Sequence, residues 1–320
     1  MRICVFGAGA VGGNLAVRLA LAGNRVSVLA RGEAVAAIRR GGLRVQAGDT
    51  VLEARVAASD KAEDLGEQDL VIAAVKAHQL PGFAAQVPPL LGPQTLVVFA
   101  QNGIPWWYPG HDLGDLLDPG RAVERAVGRS RSVGAVVYSA NARLAPNLVH
   151  NTSPGRNRLI LGAVEPGAET GGETGVADLR QVLEQAGIES PAEPDLRPAI
   201  WKKLIANASV SVVSFLAECT SRETFDDPRL GPAGANIAEE LAAVARAEGL
   251  AVDAGRAVPA PGHHSSMLQD ARTGRPLETA ALLDAPQAIA RHRAIATPAF
   301  DLLCGLVHAR ARSLAGQGER

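Results

Sequence analysis

Aromatic side chains are scarce: Phe, Trp and Tyr make up 3% of the 320 residues. A chain this poor in rings lacks the stacking platforms that hold single-stranded nucleic acid, and its core must be filled by Ala, Val and Leu. Excess basic charge is missing too. Lys and Arg number 32 against 33 Asp and Glu, for a net charge of −1, which leaves no basic stripe for a phosphate backbone. Nucleic acid is not an expected partner. Cysteine occurs three times, at Cys4, Cys219 and Cys304, and never as a CxxC pair, so neither a disulfide framework nor a metal site is expected. Cys4 falls inside an apolar strand pattern and reads as a buried small hydrophobe. The chain runs straight into that strand, with no basic segment leading into a long apolar stretch. The expectation is no signal peptide, no membrane span and a reducing, cytoplasmic location.

What is present is the balance of a globular protein, 47% hydrophobic and 20% charged, at a length that suits two domains. Short β-branched runs at residues 1–6, 25–29, 70–75 and 95–99 alternate with helical patterns at 10–22, 33–40 and 78–87. Such alternation predicts a parallel, doubly wound sheet. Further strands are expected at 133–139, 148–150 and 158–161, a surface loop at 165–175 and a helix at 176–186. The polar, Pro-rich segment 190–198 reads as the linker. Beyond it helical periodicity dominates, at 198–216, 228–248, 265–272, 277–293 and 298–314. The expected architecture is an α/β Rossmann-type N-terminal domain with a parallel sheet (residues 1–193) followed by an all-α C-terminal domain (194–320).

Gly7-Ala8-Gly9-Ala10-Val11-Gly12 is a GxGxxG between the first strand and the first helix. The first glycine permits a tight turn, the second lets backbone approach a pyrophosphate, and the third lets helix and strand pack closely. Free N–H groups at the helix start then face the phosphates. After the second strand an NAD site places Asp or Glu on the ribose hydroxyls, but this chain has Leu29-Ala30-Arg31 and no carboxylate before Glu33. Arginine offers a planar donor fork to a 2′-phosphate, so the cofactor expected is NADP(H). A merely solvated arginine is the other reading of that position.

Ligands of such folds collect at the carboxyl ends of the strands. Lys76 and Asn102 stand at two of them, as candidate contacts to ribose, nicotinamide or substrate; a solvated lysine and an Asn-Gly turn are the plainer alternatives. In the helix beginning near Trp201, Lys203, Asn207 and Ser211 recur every four residues among apolar neighbours, and α-helical spacing places them on one face. A lysine withdrawn from water has a lowered pKa and becomes a usable acid near neutral pH, unless its stem snorkels to solvent. Ser266 and Glu278, read alone, suit an N-cap and a first-turn acid.

Together these pieces resemble the ketopantoate reductase (2-dehydropantoate 2-reductase) family along nearly the whole chain. The resemblance is carried by GAGAVGG at Gly7–Gly13, Arg31, VKAHQ at Val75–Gln79, QNG at Gln101–Gly103, WKKLIAN at Trp201–Asn207, SSMLQD at Ser265–Asp270, GRPLE at Gly274–Glu278 and Thr297-Pro298. It implies an NADPH-dependent oxidoreductase of pantothenate biosynthesis, with Lys203 protonating the ketone oxygen. Asn207 would bind the substrate's hydroxyl end and Ser266 its carboxylate. Glu278 would act at the cofactor–substrate junction, with Asn102 and Lys76 lining nicotinamide and ribose. The chain departs from the family pattern near the substrate. Ser211 stands where a second asparagine is usual, and after the acid the chain reads Thr279-Ala280 and Leu283-Asp284. Segment 104–118, with Trp106-Trp107-Tyr108, is longer and more aromatic than a simple family loop; it either overhangs the substrate or packs its rings onto the domain.

The expected reaction is reduction of a small 2-oxo acid, 2-dehydropantoate or a related branched one, with substrate contacts from Asn102, Asn207, Ser211 and Ser266, in the crevice between the domains. A reductase of a bulkier ketone and a non-catalytic NADP(H)-binding sensor are the alternatives; the sensor has no need of Lys203 and Glu278. A homodimer is compatible with the sequence.

Overall fold

The computed structural model describes residues 1–153, 155–255, 258–259, 262 and 264–318, the last four by backbone alone. The chain divides into two compact units, one of Met1–Gln101 with Asp118–Leu196 and one of Asn102–Leu117 with Arg197–Arg320. The expected second domain ends on two residues outside the described ones. A continuous first domain over residues 1–193 was expected, and segment Asn102–Leu117 departs from that. Its packing explains the difference: the Ile104 N–H donates to the Ala281 carbonyl at 2.8 Å, and the Trp201 indole N–H donates to Tyr108 Oη at 2.7 Å.

In the first unit the strands are β1 (Arg2–Phe6), β2 (Arg25–Leu29), β3 (Leu43–Ala47), β4 (Thr50–Ala54), β5 (Ala57–Ser59), β6 (Gln68–Ala73), β7 (Leu91–Phe99), β8 (Ser132–Tyr138), β9 (Asn141–Ala145), β10 (Leu148–Asn151) and β11 (Arg158–Ala163). A seven-stranded sheet runs in the order β11-β8-β7-β6-β1-β2-β5. It is parallel except for β11, which lies antiparallel to β8. Its inner strands are buried on both faces, with Ile3, Val5, Val28, Val71 and Val97 all fully enclosed. That is why they read as unbroken apolar runs. A second sheet of four strands, β4-β3-β10-β9, was foreseen only at β10. Its other strands are short, with polar residues at partly exposed positions.

Helix α1 (Ala10–Leu21) touches strands of both sheets, and this sandwiched position dictates its sequence. A Cβ on Gly13 would sit 2.7 Å from the Val149 side chain of β10. Where α1 becomes polar it stays bonded: Asn14 Nδ2 and Asn151 Nδ2 both donate to Asn157 Oδ1, at 3.1 and 2.6 Å, as buried amides require. The unit is completed by α2 (Glu33–Gly41), α3 (Leu80–Gln86), α5 (Ala122–Val127) and α6 (Glu173–Gln185), while the short α4 (Gly114–Leu117) lies in the segment that joins the second unit. Ser190 belongs to the first unit's core, its buried hydroxyl donating to the Leu159 carbonyl at 2.8 Å. The segment expected as linker therefore holds structure up to Leu196.

Apart from segment Asn102–Leu117, the second unit is built from helices and the segments that join them, with no strand among its described residues. Helix α7 (Arg197–Ala206) runs through a π-helical stretch, Asn207–Val212, into α8 (Val213–Ala217). Then come α9 (Ser221–Asp226), α10 (Leu230–Ala247), α11 (Ser266–Arg272), a second π-helical stretch at Ala280–Asp284, α12 (Ala285–His292) and α13 (Pro298–Gly318). The expected helix 277–293 begins instead at Thr279, after six non-helical residues that include Pro276. Helix α10 is the hub, packing on α7, α9, α12 and α13 through fully buried Leu241, Ala242, Val244 and Ala245. An 18-residue window of the run Arg197–Ala217 has a mean hydropathy of 1.3, enough for a membrane span by composition. Most of it is buried inside this unit, which accounts for an apolar character on all sides.

One consequence can be measured. A Cβ on Gly12 would stand 2.0 Å from the Gly7 carbonyl oxygen and 3.0 Å from Val5, and backbone cannot yield as a flexible side chain can. Gly12→Ala should destabilise the protein by about 1–3 kcal/mol, seen as a lower urea midpoint at unchanged m-value.

Candidate active site

The glycine turn is built at the end of β1. Gly7 has φ +108°, and its N–H donates to the Leu29 carbonyl at the end of β2, 2.9 Å away. A Cβ on Gly9 would meet no atom within 4 Å, so that backbone faces open space. No side chain caps α1, and no acidic residue occupies its first turn. Ala10, Val11 and Gly12 therefore offer N–H groups to an anion, while Ala8 is buried behind the turn. Open backbone at Gly9, tight packing at Gly12 and an uncapped helix start fit a dinucleotide pyrophosphate. Arg31 lies two residues beyond the carbonyl that receives Gly7. It is exposed and makes no hydrogen bond or ion pair among the described residues. Lys76 is half-buried after β6, its N–H donating to Gln79 Oε1 at 3.1 Å. The same strand end is fixed by Gln101, whose Nε2 donates to the carbonyls of Ala73 and Val75 at 2.7 and 3.0 Å. This role for Gln101 went unread in the QNG motif.

The remaining candidates gather in the helical unit. Lys202 is exposed, whereas Lys203 is half-buried. Loss of hydration pushes its ammonium down to about 8, against the opposing pull of the Glu278 carboxylate. Glu278 is half-buried immediately before the turn that enters the second π-helical stretch. Asn102 reaches the same place through its neighbour. Gly103 has φ +84°, and a Cβ there would lie 2.4 Å from the Ala281 carbonyl oxygen. Asn207 and Ser211, both half-buried, lie within the first π-helical stretch, which packs against the second and against α11. The expected single face for Lys203, Asn207 and Ser211 assumed 3.6 residues per turn; from Asn207 onward the turns are wider, and that phase no longer applies. On α11 the N-cap is Ser265, which is buried and accepts from the Leu268 N–H at 3.3 Å. Ser266 occupies the first helical position and is exposed, so capping does not consume its hydroxyl.

Structure thus brings Lys203, Glu278, Asn102, Asn207, Ser211 and Ser266 onto mutually packed elements of one unit. The glycine turn, Arg31 and Lys76 stand in the other. Segment 104–118 packs its rings: Ile104, Trp106, Trp107 and Tyr108 are all buried. Sequence reasoning missed what Tyr108 joins, namely Trp201 of α7 and, at 3.4 Å, Glu248. Among the described residues no group of three or more His, Cys, Asp or Glu is placed to hold a metal ion. A cavity of about 220 Å³ opens at the opposite, amino ends of β1, β2 and β6, lined by Arg2, Arg25 and Gln68, and includes none of these candidates.

The sequence models of the ketopantoate reductase PanE/ApbA family and of its C-terminal region match residues 3–165 and 195–311. A 2-dehydropantoate 2-reductase of Mesorhizobium japonicum is 37% identical over 96% of this chain and 97% of its own. The chain belongs to the ketopantoate reductase family. It is accordingly an oxidoreductase of the class that interconverts C=O and CH–OH, in a family whose cofactor is NADP(H). A Ralstonia solanacearum structure put forward as a ketopantoate reductase shares 34% identity and superposes at a TM-score of 0.85, covering 98% of both chains. The ternary structure of D-mandelate dehydrogenase with NADH and anilino(oxo)acetate reaches 0.84 at 23% identity over 98% of this chain and 99% of that one, which bears on the fold alone.

Gly103 supplies the test of this geometry. Gly103→Ala combines a left-handed backbone with a Cβ collision at Ala281. It should destabilise by about 1–3 kcal/mol in thermal or urea unfolding and lower turnover, because it displaces Asn102 and the turn after Glu278 together.

Proposed function

We propose that this family member reduces the ketone of a small 2-oxo acid, 2-dehydropantoate or a related branched acid, to the 2-hydroxy acid with NADP(H). The observation that carries the reading is Lys203, a half-buried ammonium lowered to about 8 with the Glu278 carboxylate beside it. Cofactor binding falls to the uncapped N–H groups of residues 10–12, the open backbone at Gly9, the guanidinium of Arg31 on a 2′-phosphate, and Lys76. When bound, the reduced nicotinamide supplies hydride. The chain's own residues do the rest. Lys203 donates its proton to the carbonyl oxygen, and its charge stabilises the alkoxide as it develops. Glu278 works against desolvation, keeping more of Lys203 protonated near neutral pH than burial alone would allow. Ser266 and Asn207 orient the acid by carboxylate and hydroxyl, and Asn102 lines the nicotinamide side.

A second reading, a bulkier ketone, is favoured by one observation: Ser211, half-buried, puts a small hydroxyl where the family pattern has a larger amide. A cofactor sensor without turnover accounts for neither the half-buried Lys203 nor Glu278.

Lys203→Ala should lower turnover by about two to four powers of ten with little change in NADPH affinity; near-normal turnover rejects the assignment. The sign of the pH dependence follows from the acid form. Reduction needs the ammonium, so kcat/KM for the 2-oxo acid should fall as pH rises through about 8, and the reverse oxidation should rise over that range. Arg31→Ala should raise KM for NADPH far more than KM for NADH, and equal effects would remove Arg31 from the 2′-phosphate. Following NADPH oxidation with a panel of branched and aryl 2-oxo acids separates the two substrate readings.

A further inference from the structure

One polar chain in the helical unit takes no part in the chemistry above. Trp201 is completely buried on α7, two residues before Lys203, and its indole N–H donates to Tyr108 Oη at 2.7 Å. Burial, aided by the nearby Glu248 charge, keeps the Tyr108 phenol protonated far above neutral pH, despite the opposing bond from Trp201. Its O–H therefore remains a donor, and Glu248 Oε2 receives it at 3.4 Å. Burial of the Glu248 carboxyl opposes its ionisation, but bonds from Arg293 and His111 outweigh that and hold it below the usual carboxylate range. The distances are 2.5 Å from Arg293 Nε to Oε1 and 2.9 Å from His111 Nε2 to Oε2.

The chain has a direction. A carboxylate can only accept, so His111 Nε2 carries the proton toward Glu248. On the far side of the ring, His111 Nδ1 stands 2.9 Å from His292 Nδ1. From Trp201 through Tyr108 and Glu248 to His111 Nε2 each donor faces an acceptor, and the side chains of His111 and Glu248 are 2% and 3% exposed. Glu248 follows α10, and His292 and Arg293 close α12. The network therefore ties the ends of two helices, through one aromatic loop, to a single indole on α7.

We propose that Tyr108 is a positioning residue for Lys203, holding α7 by its Trp201 anchor so that the lysine ammonium keeps its place beside Glu278. A helix fixed along one edge by packing alone can roll. A short, directed hydrogen bond from a ring as large as indole removes that freedom. Lys203 lies about 200° around α7 from Trp201 at 100° per residue, so rotation about the helix axis carries the ammonium across the site. The inference rests on Lys203 being the proton donor, and its test is arranged so that the two can fail separately.

Tyr108→Phe keeps the ring and removes only the hydroxyl. With NADPH and the best 2-oxo acid of the panel, kcat should fall about tenfold while KM for NADPH stays within about twofold. Trp201→Phe should reproduce that split from the other end of the bond. In a Lys203→Ala background, Tyr108→Phe should bring no further loss of the residual turnover, because the group it positions is gone. A lowered melting temperature with unchanged kcat would reduce Tyr108 to a structural role and overturn the proposal. So would an equal further loss in the Lys203→Ala background. If Lys203→Ala itself retained turnover, the proton-donor assignment would fall first and this inference with it. A depleted Lys203→Ala beside a normal Tyr108→Phe and a normal Trp201→Phe would overturn the positioning role alone.

Discussion

Taking an ammonium partly out of water is unfavourable by several kcal/mol unless a counter-charge compensates, and the helical unit is arranged around that constraint. Lys203 has the Glu278 carboxylate as its charged neighbour, approaching from an element 75 positions on in the chain. The compensation is incomplete, since burial still outweighs the carboxylate and leaves the lysine near 8. For the proton-donor role proposed for Lys203, that incompleteness is the useful property. A fully compensated lysine would hold its proton too firmly to act as an acid, and an uncompensated one would arrive without it. The two groups must therefore stay at a fixed distance, and helices α7, α10 and α12, with the loop containing Gly103, supply the rigidity.

A different constraint governs the first unit, where volume rather than charge is limiting. Helix α1 touches strands of two sheets and carries glycine at the points of closest approach, 2.0 Å to the Gly7 oxygen for a Cβ on Gly12 and 2.7 Å to Val149 for one on Gly13. Gly9, three residues before Gly12, has nothing nearby. The same residue type thus serves packing at two positions and access at the third. Which is which follows from the surroundings, not from the motif.

That distinction marks what the amino-acid sequence discloses. Strand, glycine turn and helix at residues 1–22 are legible because burial on both faces forces unbroken apolar runs and the turn demands glycine. Strands β3, β4 and β9 are not, because they are short and partly exposed, and β10 takes as its parallel neighbour β3, some hundred residues earlier. In the helical unit, Lys203 and Asn207 stand out as polar residues in apolar surroundings, whereas Glu278 is singled out by the family resemblance alone. Periodicity cannot show that Ser265, not Ser266, caps α11. Nor can it pair Tyr108 with Trp201 across 93 residues or His111 with His292 across 181. Those pairings depend on segment Asn102–Leu117 leaving the unit that precedes it, a topological event with no local signature beyond an unusual density of rings.

The two π-helical stretches follow directly from where the site residues stand. One begins at Asn207, four residues after Lys203, and the other at Ala280, two after Glu278. Each wide turn rephases the helix relative to an uninterrupted α-helix, by about 100° for one added residue. Upstream of the first stretch Trp201 is buried, and downstream Val213 and Phe215 are buried as well. Both ends of the run Arg197–Ala217 keep their apolar contacts while Lys203, Asn207 and Ser211 remain half-buried between them. Such turns are weaker than α-helical ones and persist where surrounding contacts over-determine them. Here the two stretches pack on each other, and the Ala281 carbonyl that receives Ile104 lies inside the second. The distortion at the lysine helix and the one beside the carboxylate therefore support each other, and neither side of the Lys203–Glu278 pair can relax to a regular helix without disturbing its counterpart.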